Sequence, residues 1–296
     1  MPLVPLSRIL DAGPVFAFNV IQIEHAEAIL AGAEQAKASV VLQISENAVG
    51  YHGALAPVAA AARLAAERSG AEAALHLDHA TDERLVREAA DHGFGSVMYD
   101  GSTLPWAENL RTTAEVTAWC HQNGLFVEAE LGEIGGKDGA HAPGVRTDPA
   151  EAAEFVARTG VDALAVAVGS EHAMTSRTAR LDLELIGRLH AAVPVPLVLH
   201  GSSGVPDESL VAAAAAGMRK INVSTHLNRL FTEAVRGALA ADPKLVDPRR
   251  WLAPGRDAVA AEVARLLGLL GSLGSLGSPD SPGSLGSPDS LGSLNH

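Results

Sequence analysis

Three of the twelve histidines in this 296-residue chain directly follow short apolar runs that are typical of strands. They are His79, His172 and His200. Neutral imidazole nitrogens are frequent Zn²⁺ ligands, and three of them leave one position of a tetrahedral site open for water or substrate. The sequence therefore predicts a catalytic metal site if the fold brings these strand ends together. The alternative is that each is an ordinary, partly buried histidine bonded to the backbone.

Carboxylates accompany these histidines. Asp78 either orients a metal ligand or exchanges a proton with a metal-bound substrate. Glu128 and Glu130 have the same parity on a predicted strand, so both side chains should lie on one face. If that face lines the inside of a barrel, the carboxylates need a partner. Lys220, which has the same parity as Asn222, is predicted to form the internal ion pair.

Two loops rich in glycine and hydroxyl residues are candidate phosphate sites. HGSSG occupies 200–204 and NVST occupies 222–225. Small residues let a phosphate approach backbone N–H groups at the start of a helix. Plain turn and helix-cap chemistry is the alternative. A long glycine-rich segment at 132–144 is predicted to be an active-site lid, with a solvated surface loop as the alternative.

The elements that must position these residues alternate between strands and Ala-rich helices. Strands are predicted at 15–20, 40–44, 73–77, 96–99, 125–130, 163–168, 196–199 and 220–223. Helices are predicted at 24–37, 55–69, 83–91, 106–122, 150–158, 183–191, 207–215 and 227–240, with a further helix at 256–267. Eight such units indicate an α/β protein, a TIM (β/α)₈ barrel with a C-terminal extra helix and a disordered tail. A doubly wound open sheet is the alternative, but no Gly-x-Gly-x-x-Gly follows the first strand.

In such a barrel the active site lies at the C-terminal ends of the strands. That is where the polar residues concentrate. Residues 1–270 are predicted to form this single domain. Residues 271–296, built from Gly-Ser-Leu and Ser-Pro-Asp repeats, have too few large apolar groups to order themselves and are predicted to be a disordered tail.

Composition excludes several classes of function. The formal net charge of −13 repels nucleic acid, and no apolar run approaches the roughly 20 residues of a membrane span. One cysteine, Cys120, excludes an intramolecular disulfide and a Cys-based zinc finger. The N-terminal residues show no secretory signal, so a cytoplasmic protein is expected.

Five motifs resemble those of the class II, metal-dependent ketose-bisphosphate aldolases, which include fructose- and tagatose-1,6-bisphosphate aldolases. They are LDHAT at 77–81, VEAELG at 127–132, LHGSSG at 199–204, KINVST at 220–225 and DPR at 247–249. The resemblance runs from about residue 3 to 267 with all motifs in order. It implies a TIM barrel, a divalent metal (usually Zn²⁺) that stabilises an ene-diolate, and reversible cleavage of a ketose 1,6-bisphosphate to dihydroxyacetone phosphate and glyceraldehyde 3-phosphate. It also implies a homodimer or homotetramer.

The resemblance assigns roles to individual residues. His79, His172 and His200 would be the catalytic metal ligands, Asp100 and Glu130 would belong to an accessory metal site, and Asp78 would be the acid and base at the C4 oxygen. Arg249 would reach the second phosphate, in some members from a neighbouring subunit. The remaining substrate-binding residues would be Asn19 and Ser45 on the substrate side, and Gly201, Ser202, Ser203, Asn222, Val223, Ser224 and Thr225 around the phosphate.

Two positions depart from the family pattern. Ala173 stands where many members have a glycine whose backbone helps to bind phosphate, which changes the phosphate site or a monovalent-cation site there. Asp138 stands where many members have a glutamate on the lid that acts as a base, and Glu133 is the alternative lid base. The aldehyde half and the C4 configuration of the sugar stay open.

Other functions also stay open. A Schiff-base lyase would use Lys220, the lysine that lies on a predicted strand. A metal-dependent hydrolase would leave the two phosphate loops unexplained. An aldolase of another phosphorylated ketose, or a sugar-phosphate-binding barrel without catalysis, would retain the same pocket.

Overall fold

The computed structural model describes residues 3–131, 146–170 and 177–276. Its centre is a closed barrel of eight parallel strands in sequence order, in which β1 pairs with both β2 and β8. The strands are β1 Val15–Asn19, β2 Val40–Ser45, β3 Ala73–Ala80, β4 Ser96–Tyr99, β5 Phe126–Glu130, β6 Ala163–Ala165, β7 Leu197–Leu199 and β8 Met218–Val223. The predicted TIM barrel is confirmed, and the open doubly wound sheet is excluded because the sheet closes.

Helices cover the outside of the barrel. They are α1 Leu6–Ala12, α2 Ile23–Ala36, α3 Glu46–His52, α4 Leu55–Arg68, α5 Glu83–Asp91, α6 Trp106–Gln122, α7 Pro149–Thr159, α8 Leu183–Ala192, α9 Asp207–Ala216, α10 Thr225–Ala241 and α11 Pro248–Leu276. Local chemistry sets several of their ends. The side chain of Asp148 caps α7 by accepting N–H groups from Ala150 and Glu151, and left-handed Gly160 ends that helix.

Two helices were not predicted. α1 buries Leu6, Ile9 and Leu10, and these pack against the N-terminal parts of the first three strands. Their spacing is that of one helical face, but the pattern is too short to predict a helix by itself. α3 begins directly where β2 ends, and the Ser45 side chain caps it.

α11 is longer than predicted at both ends. It begins at Pro248 and continues through Pro254, where the sequence pattern placed a break before 256. It also extends to Leu276, so 271–276 are helical, although the predicted tail began at 271. Adding residues to an existing helix costs less than nucleating one, which accounts for this extension. Residues 277–296 lie outside the described residues.

Helices α2 and α11 approach each other closely on the outside of the barrel, where α11 also contacts β1. A Cβ at Gly32 of α2 would lie 2.6 Å from the backbone oxygen of Ala260 and 2.7 Å from Cβ of Val263, both on α11. Only glycine allows this contact without movement of the backbone. α11 therefore packs tightly against α2 as part of the helical layer around the barrel.

Candidate active site

A bulge at the end of β3 turns two neighbouring side chains toward the barrel axis. Leu77 pairs with Val97 and Ala80 with Tyr99, so β3 contains one extra residue. His79 takes a left-handed backbone conformation with φ of 50°, which is uncommon for a residue with a Cβ. Regular alternation would place Asp78 and His79 on opposite faces, and the bulge brings both into one cluster.

Asp78 lies in an amide cluster at the mouth of the barrel. Its Oδ2 accepts hydrogen bonds from Nδ2 of Asn19 at 3.0 Å and from Nε2 of Gln43 at 3.4 Å. Burial by itself raises the pKa of Asp78, but the charges of His79, His200 and Lys220 and the Asn19 hydrogen bond outweigh it, and the pKa is lowered. The side chain is therefore a carboxylate at neutral pH. Its buried Oδ1 has no hydrogen-bond partner among the described residues.

His79 and His200 face each other beside this carboxylate. Their ring centroids lie 4.5 Å apart, and one ligand atom from each of Asp78, His79 and His200 lies within 4.8 Å of the others. A second group with the same spacing contains His79, Asp100 and Glu130. His79 Nδ1 lies 2.8 Å from Asp100 Oδ2 and 3.6 Å from Glu130 Oε2. Both groups have the donor types and the spacing of a divalent-cation site.

A buried ion pair lies beneath these groups inside the barrel. Lys220 Nζ is 2.7 Å from Glu128 Oε2, and both side chains are 0% exposed. The other oxygen of Glu128 lies 2.9 Å from His200 Nε2. His76 lies beside the pair, and burial followed by the charge of Lys220 lowers its pKa well below the usual value, so His76 is neutral. The ion pair predicted for Lys220 is present.

The loops after β7 and β8 meet at one place. Gly201 has a left-handed φ of 66°, and Ser202 donates a hydrogen bond to the backbone oxygen of Asn222. Ser203 Oγ accepts N–H groups from Ser224 at 3.3 Å and from His226 at 3.2 Å, at the start of α10. That oxygen accepts two hydrogen bonds, and a serine hydroxyl can also donate one. Asn222 extends from this place to His200, with Nδ2 3.1 Å from the ring.

Comparison with known proteins adds the family. The chain matches the family model described as "Fructose-bisphosphate aldolase class-II" over residues 12–275. The chain belongs to this family.

Relatives agree with this class II assignment. A fructose-bisphosphate aldolase of Geobacillus stearothermophilus is 41% identical over 250 residues, covering 83% of this chain and 87% of the relative. A 6-phospho-5-dehydro-2-deoxy-D-gluconate aldolase of Shouchella clausii is 36% identical over 275 residues, 90% of this chain and 94% of the relative. A crystal structure of a putative fructose-1,6-bisphosphate aldolase from Coccidioides immitis superposes with a TM-score of 0.80 at 31% identity, covering 91% of this chain and 97% of that one. The enzyme is a class II aldolase, a carbon–carbon lyase.

Several predicted site residues of the class II aldolase lie elsewhere or serve other contacts. The Ser45 side chain accepts an N–H group from Ala48 as the cap of α3. Val223 packs its side chain in the apolar core, so only its backbone can meet a ligand. The Arg249 side chain is 90% exposed and pairs with Asp247. The predictions that lie outside the described residues are His172, Ala173, Asp138, Glu133 and the lid at 132–144.

Two contributors to the mouth were missed. Gln43 donates to Asn19 Oδ1 at 2.8 Å as well as to Asp78, and its signal was a lone amide within the apolar run of β2. Ser170 donates to the backbone oxygen of His200 at 2.6 Å and is buried. Its signal was weaker, because a serine in a turn is common.

Within the described ranges, no helix of the aldolase combines the length and the apolar character needed to cross a bilayer. The predicted cytoplasmic location stays a prediction.

Proposed function

We propose that this aldolase reversibly cleaves a ketose 1,6-bisphosphate of the fructose or tagatose type to dihydroxyacetone phosphate and glyceraldehyde 3-phosphate. One observation carries the proposal. Asn222 joins the His79–His200 pair to the loops after β7 and β8, so a carbonyl-activating group and a phosphate subsite lie side by side. The names of relatives such as the Geobacillus enzyme support the same substrate class.

A divalent metal, Zn²⁺ in our proposal, would be held by His79 and His200, with His172 as the third ligand. The donor set fits, because neutral imidazoles at this spacing suit Zn²⁺. When bound, the cation would supply a Lewis acid that draws electron density from the substrate carbonyl. Glu128 would fix the orientation of the His200 ring through its 2.9 Å contact. Asp100 and Glu130 would form an accessory site with His79.

Asp78 would move the proton at the C4 oxygen. In cleavage it takes the proton from the C4 hydroxyl, and in condensation it returns a proton to the aldehyde oxygen. Asn19 and Gln43 hold one carboxylate oxygen, and the other oxygen, which has no hydrogen-bond partner among the described residues, would take the proton.

The phosphate of the dihydroxyacetone end would bind at the loops after β7 and β8. The helix α10 begins there, so the positive end of its dipole, and those of its first N–H groups that do not already donate to Ser203, would face the phosphate. Ser203 would donate its hydroxyl proton. The residues proposed for this subsite are Gly201, Ser202, Ser203, Asn222, Val223, Ser224 and Thr225, with Ser45 on the substrate side and Ala173 next to a monovalent-cation site.

The proton of dihydroxyacetone phosphate would be exchanged by a lid carboxylate. We assign it to Asp138, with Glu133 as the alternative. Measuring how fast the proton on the hydroxyl-bearing carbon exchanges with solvent in the two alanine variants separates them.

Arg249 would bind the second phosphate of the substrate held by a neighbouring copy in a homodimer or homotetramer. Light scattering gives the oligomeric state, and Arg249→Ala tests the contact through the KM for the bisphosphate.

The decisive experiment is cleavage of fructose 1,6-bisphosphate and of tagatose 1,6-bisphosphate, each coupled to reduction of dihydroxyacetone phosphate. It is run as purified, after EDTA, and after Zn²⁺ is restored. We expect EDTA to abolish cleavage and Zn²⁺ to restore it, and the faster sugar gives the C4 preference. His79→Asn should be inactive, whereas His92→Asn on the surface after α5 should match the wild type. EDTA-resistant cleavage would contradict the metal site.

A second candidate is cleavage of a ketose that carries a single phosphate. Among the described residues, the loops after β7 and β8 are the one place at the barrel mouth that we propose as a phosphate subsite, and the Arg249 side chain is exposed. The Shouchella relative, an aldolase of 6-phospho-5-dehydro-2-deoxy-D-gluconate, points the same way. Cleavage of that compound at a higher kcat/KM than either bisphosphate would favour this candidate.

A further inference from the structure

A chain of charged groups connects α11 with both phosphate-binding loops. Glu262 and Arg265 lie on α11, and each contacts a residue from a different part of the barrel. Glu262 Oε1 is 2.6 Å from His226 Nε2, while Arg265 donates to Asp207 at 2.6 Å. Within α11, Arg265 also donates to both oxygens of Glu262. The network therefore crosses from one loop to the other through a single helix.

At one end, the network holds the first turn of α10. His226 is the second residue of that helix, and its own N–H group donates to Ser203 Oγ. The side chains of His226 and Glu262 are only 10% and 14% exposed. Burial raises the pKa of Glu262, but hydrogen bonds from Arg265 and His226 outweigh it and lower the pKa to about 2, so the glutamate is charged throughout the neutral range.

At the other end, the network holds the exit of the loop after β7. Asp207 also pairs with Arg177 at 2.5 Å. Arg177 Nε donates to the backbone oxygen of Val205 at 2.8 Å. Val205 in turn donates its N–H group to the backbone oxygen of Ser202. The same charged chain thus reaches the segment that contains Ser202 and Ser203.

We propose that Glu262 and Arg265 are positioning residues for phosphate binding, which set the spacing between the loop after β7 and the N-terminus of α10. The proposal rests on the proposed function for the identity of the phosphate group. Both would act through the residues they contact, His226 and Asp207. Backbone N–H groups bind an anion only when their directions converge. Because the two loops follow different strands, a contact outside the loops is needed to hold them at the right spacing. Helix α11, outside the eightfold repeat, supplies the common anchor.

The test compares ligands with and without the phosphate on the zinc-loaded, full-length enzyme. Dissociation constants for dihydroxyacetone phosphate and for dihydroxyacetone are measured by calorimetry, together with kcat and KM for the bisphosphate. For Glu262→Gln we expect about fivefold weaker binding of dihydroxyacetone phosphate. We expect KM to rise by a similar factor, kcat to stay within about twofold, and dihydroxyacetone binding to be unchanged.

Controls separate positioning from loss of stability. Glu233→Gln on α10 removes the Arg229–Glu233 pair, which lies on the same helix but outside the network, and should leave all four values unchanged. Glu262 and His226 act through one contact. The double variant Glu262→Gln/His226→Gln should therefore bind dihydroxyacetone phosphate no more weakly than whichever single variant binds it less tightly. If Glu262→Gln does not fold, Arg265→Lys is the substitute, because it keeps the charge but loses the forked contact. It should show smaller rises in KM and in the dissociation constant for dihydroxyacetone phosphate.

The outcomes are distinguishable. A variant with lower melting temperature but unchanged binding of dihydroxyacetone phosphate would overturn the proposal, as would equal weakening of both ligands. If the wild type cleaves neither bisphosphate, the proposed substrate is wrong. The binding comparison still decides the role of Glu262 in that case, since it needs no turnover.

Discussion

Replacement of Lys220 by methionine tests whether the buried lysine is a structural cation or a nucleophile. Lys220 and Glu128 are both 0% exposed, with 2.7 Å between Nζ and Oε2. At that separation the Coulomb attraction is about 6 kcal/mol for an effective dielectric constant of about 20, and much of it offsets the lost hydration of both ions. Methionine leaves Glu128 buried without its cation. We therefore expect the free energy of unfolding to fall by about 3–5 kcal/mol.

The assay is thermal and urea unfolding, with cleavage measured at low temperature. A loss of this size corresponds to a melting temperature lower by about 6–20 °C. Lys220→Met/Glu128→Gln removes both charges and should recover at least half of the loss. As a control, Arg188→Met breaks an exposed pair with Glu184 and should change stability by less than about 1 kcal/mol.

The reasoning would be refuted by a Lys220→Met variant that keeps wild-type stability but loses all cleavage. Borohydride trapping of substrate on the wild-type chain would point to the same conclusion, since it requires a lysine imine. We expect neither result. Cleavage by the folded variant should remain sensitive to EDTA, because the proposed reaction takes no part of its chemistry from the lysine.

Three further outcomes are expected. Asp78→Asn should lower kcat by about 10²- to 10⁴-fold and leave dihydroxyacetone phosphate binding within about twofold, and loss of binding alone would contradict a proton-transfer role. Burial lowers the pKa of His25 to about 4. The contribution of neutral His25 to the free energy of unfolding is therefore fully present above about pH 6.5 and is lost as the pH falls toward 4. At pH 5 the loss is about 2 kcal/mol, and His25→Phe, stacked on Phe231, should abolish that decline in urea titrations. Gly32→Ala places a Cβ 2.6 Å from a backbone oxygen of α11 and should cost about 1–3 kcal/mol. Gly187→Ala in α8, with open space around it, should be neutral or stabilising by up to about 1 kcal/mol in the same unfolding assay.

Much of the barrel was predictable because its patterns are local. Short apolar runs alternate with amphipathic segments, and this alternation alone predicts eight strand–helix units. Side-chain parity on a strand has a period of two, so the sequence predicted that Glu128 and Glu130 share one face, and Lys220 was a candidate partner if that face pointed inward. At β3, parity alone is not sufficient. Parity separates Asp78 from His79, and the bulge that unites them has no clear sequence signal.

Residues that the sequence assigns to the mouth do not all contact it in the fold. Ser45 follows a strand as predicted, yet its side chain caps α3, a helix that the pattern did not show. Gln43 was overlooked because a single amide in an apolar strand is ordinarily explained by local hydrogen bonding. Its contacts with Asn19 and Asp78 depend on the register of three strands.

The residues at strand ends can be read from local patterns, since strand and helix periods are properties of neighbouring residues. The acidic charge and the order of the family motifs are likewise visible in the chain alone. Which of those residues meet depends on the folded arrangement of the barrel. Closure of the sheet joins β1 to β8, the left-handed turn at His79 redirects one ring, and α11 connects two loops through Glu262 and Arg265. Each of these contacts joins segments that are distant in the chain, and such contacts depend on register and packing rather than on any local pattern.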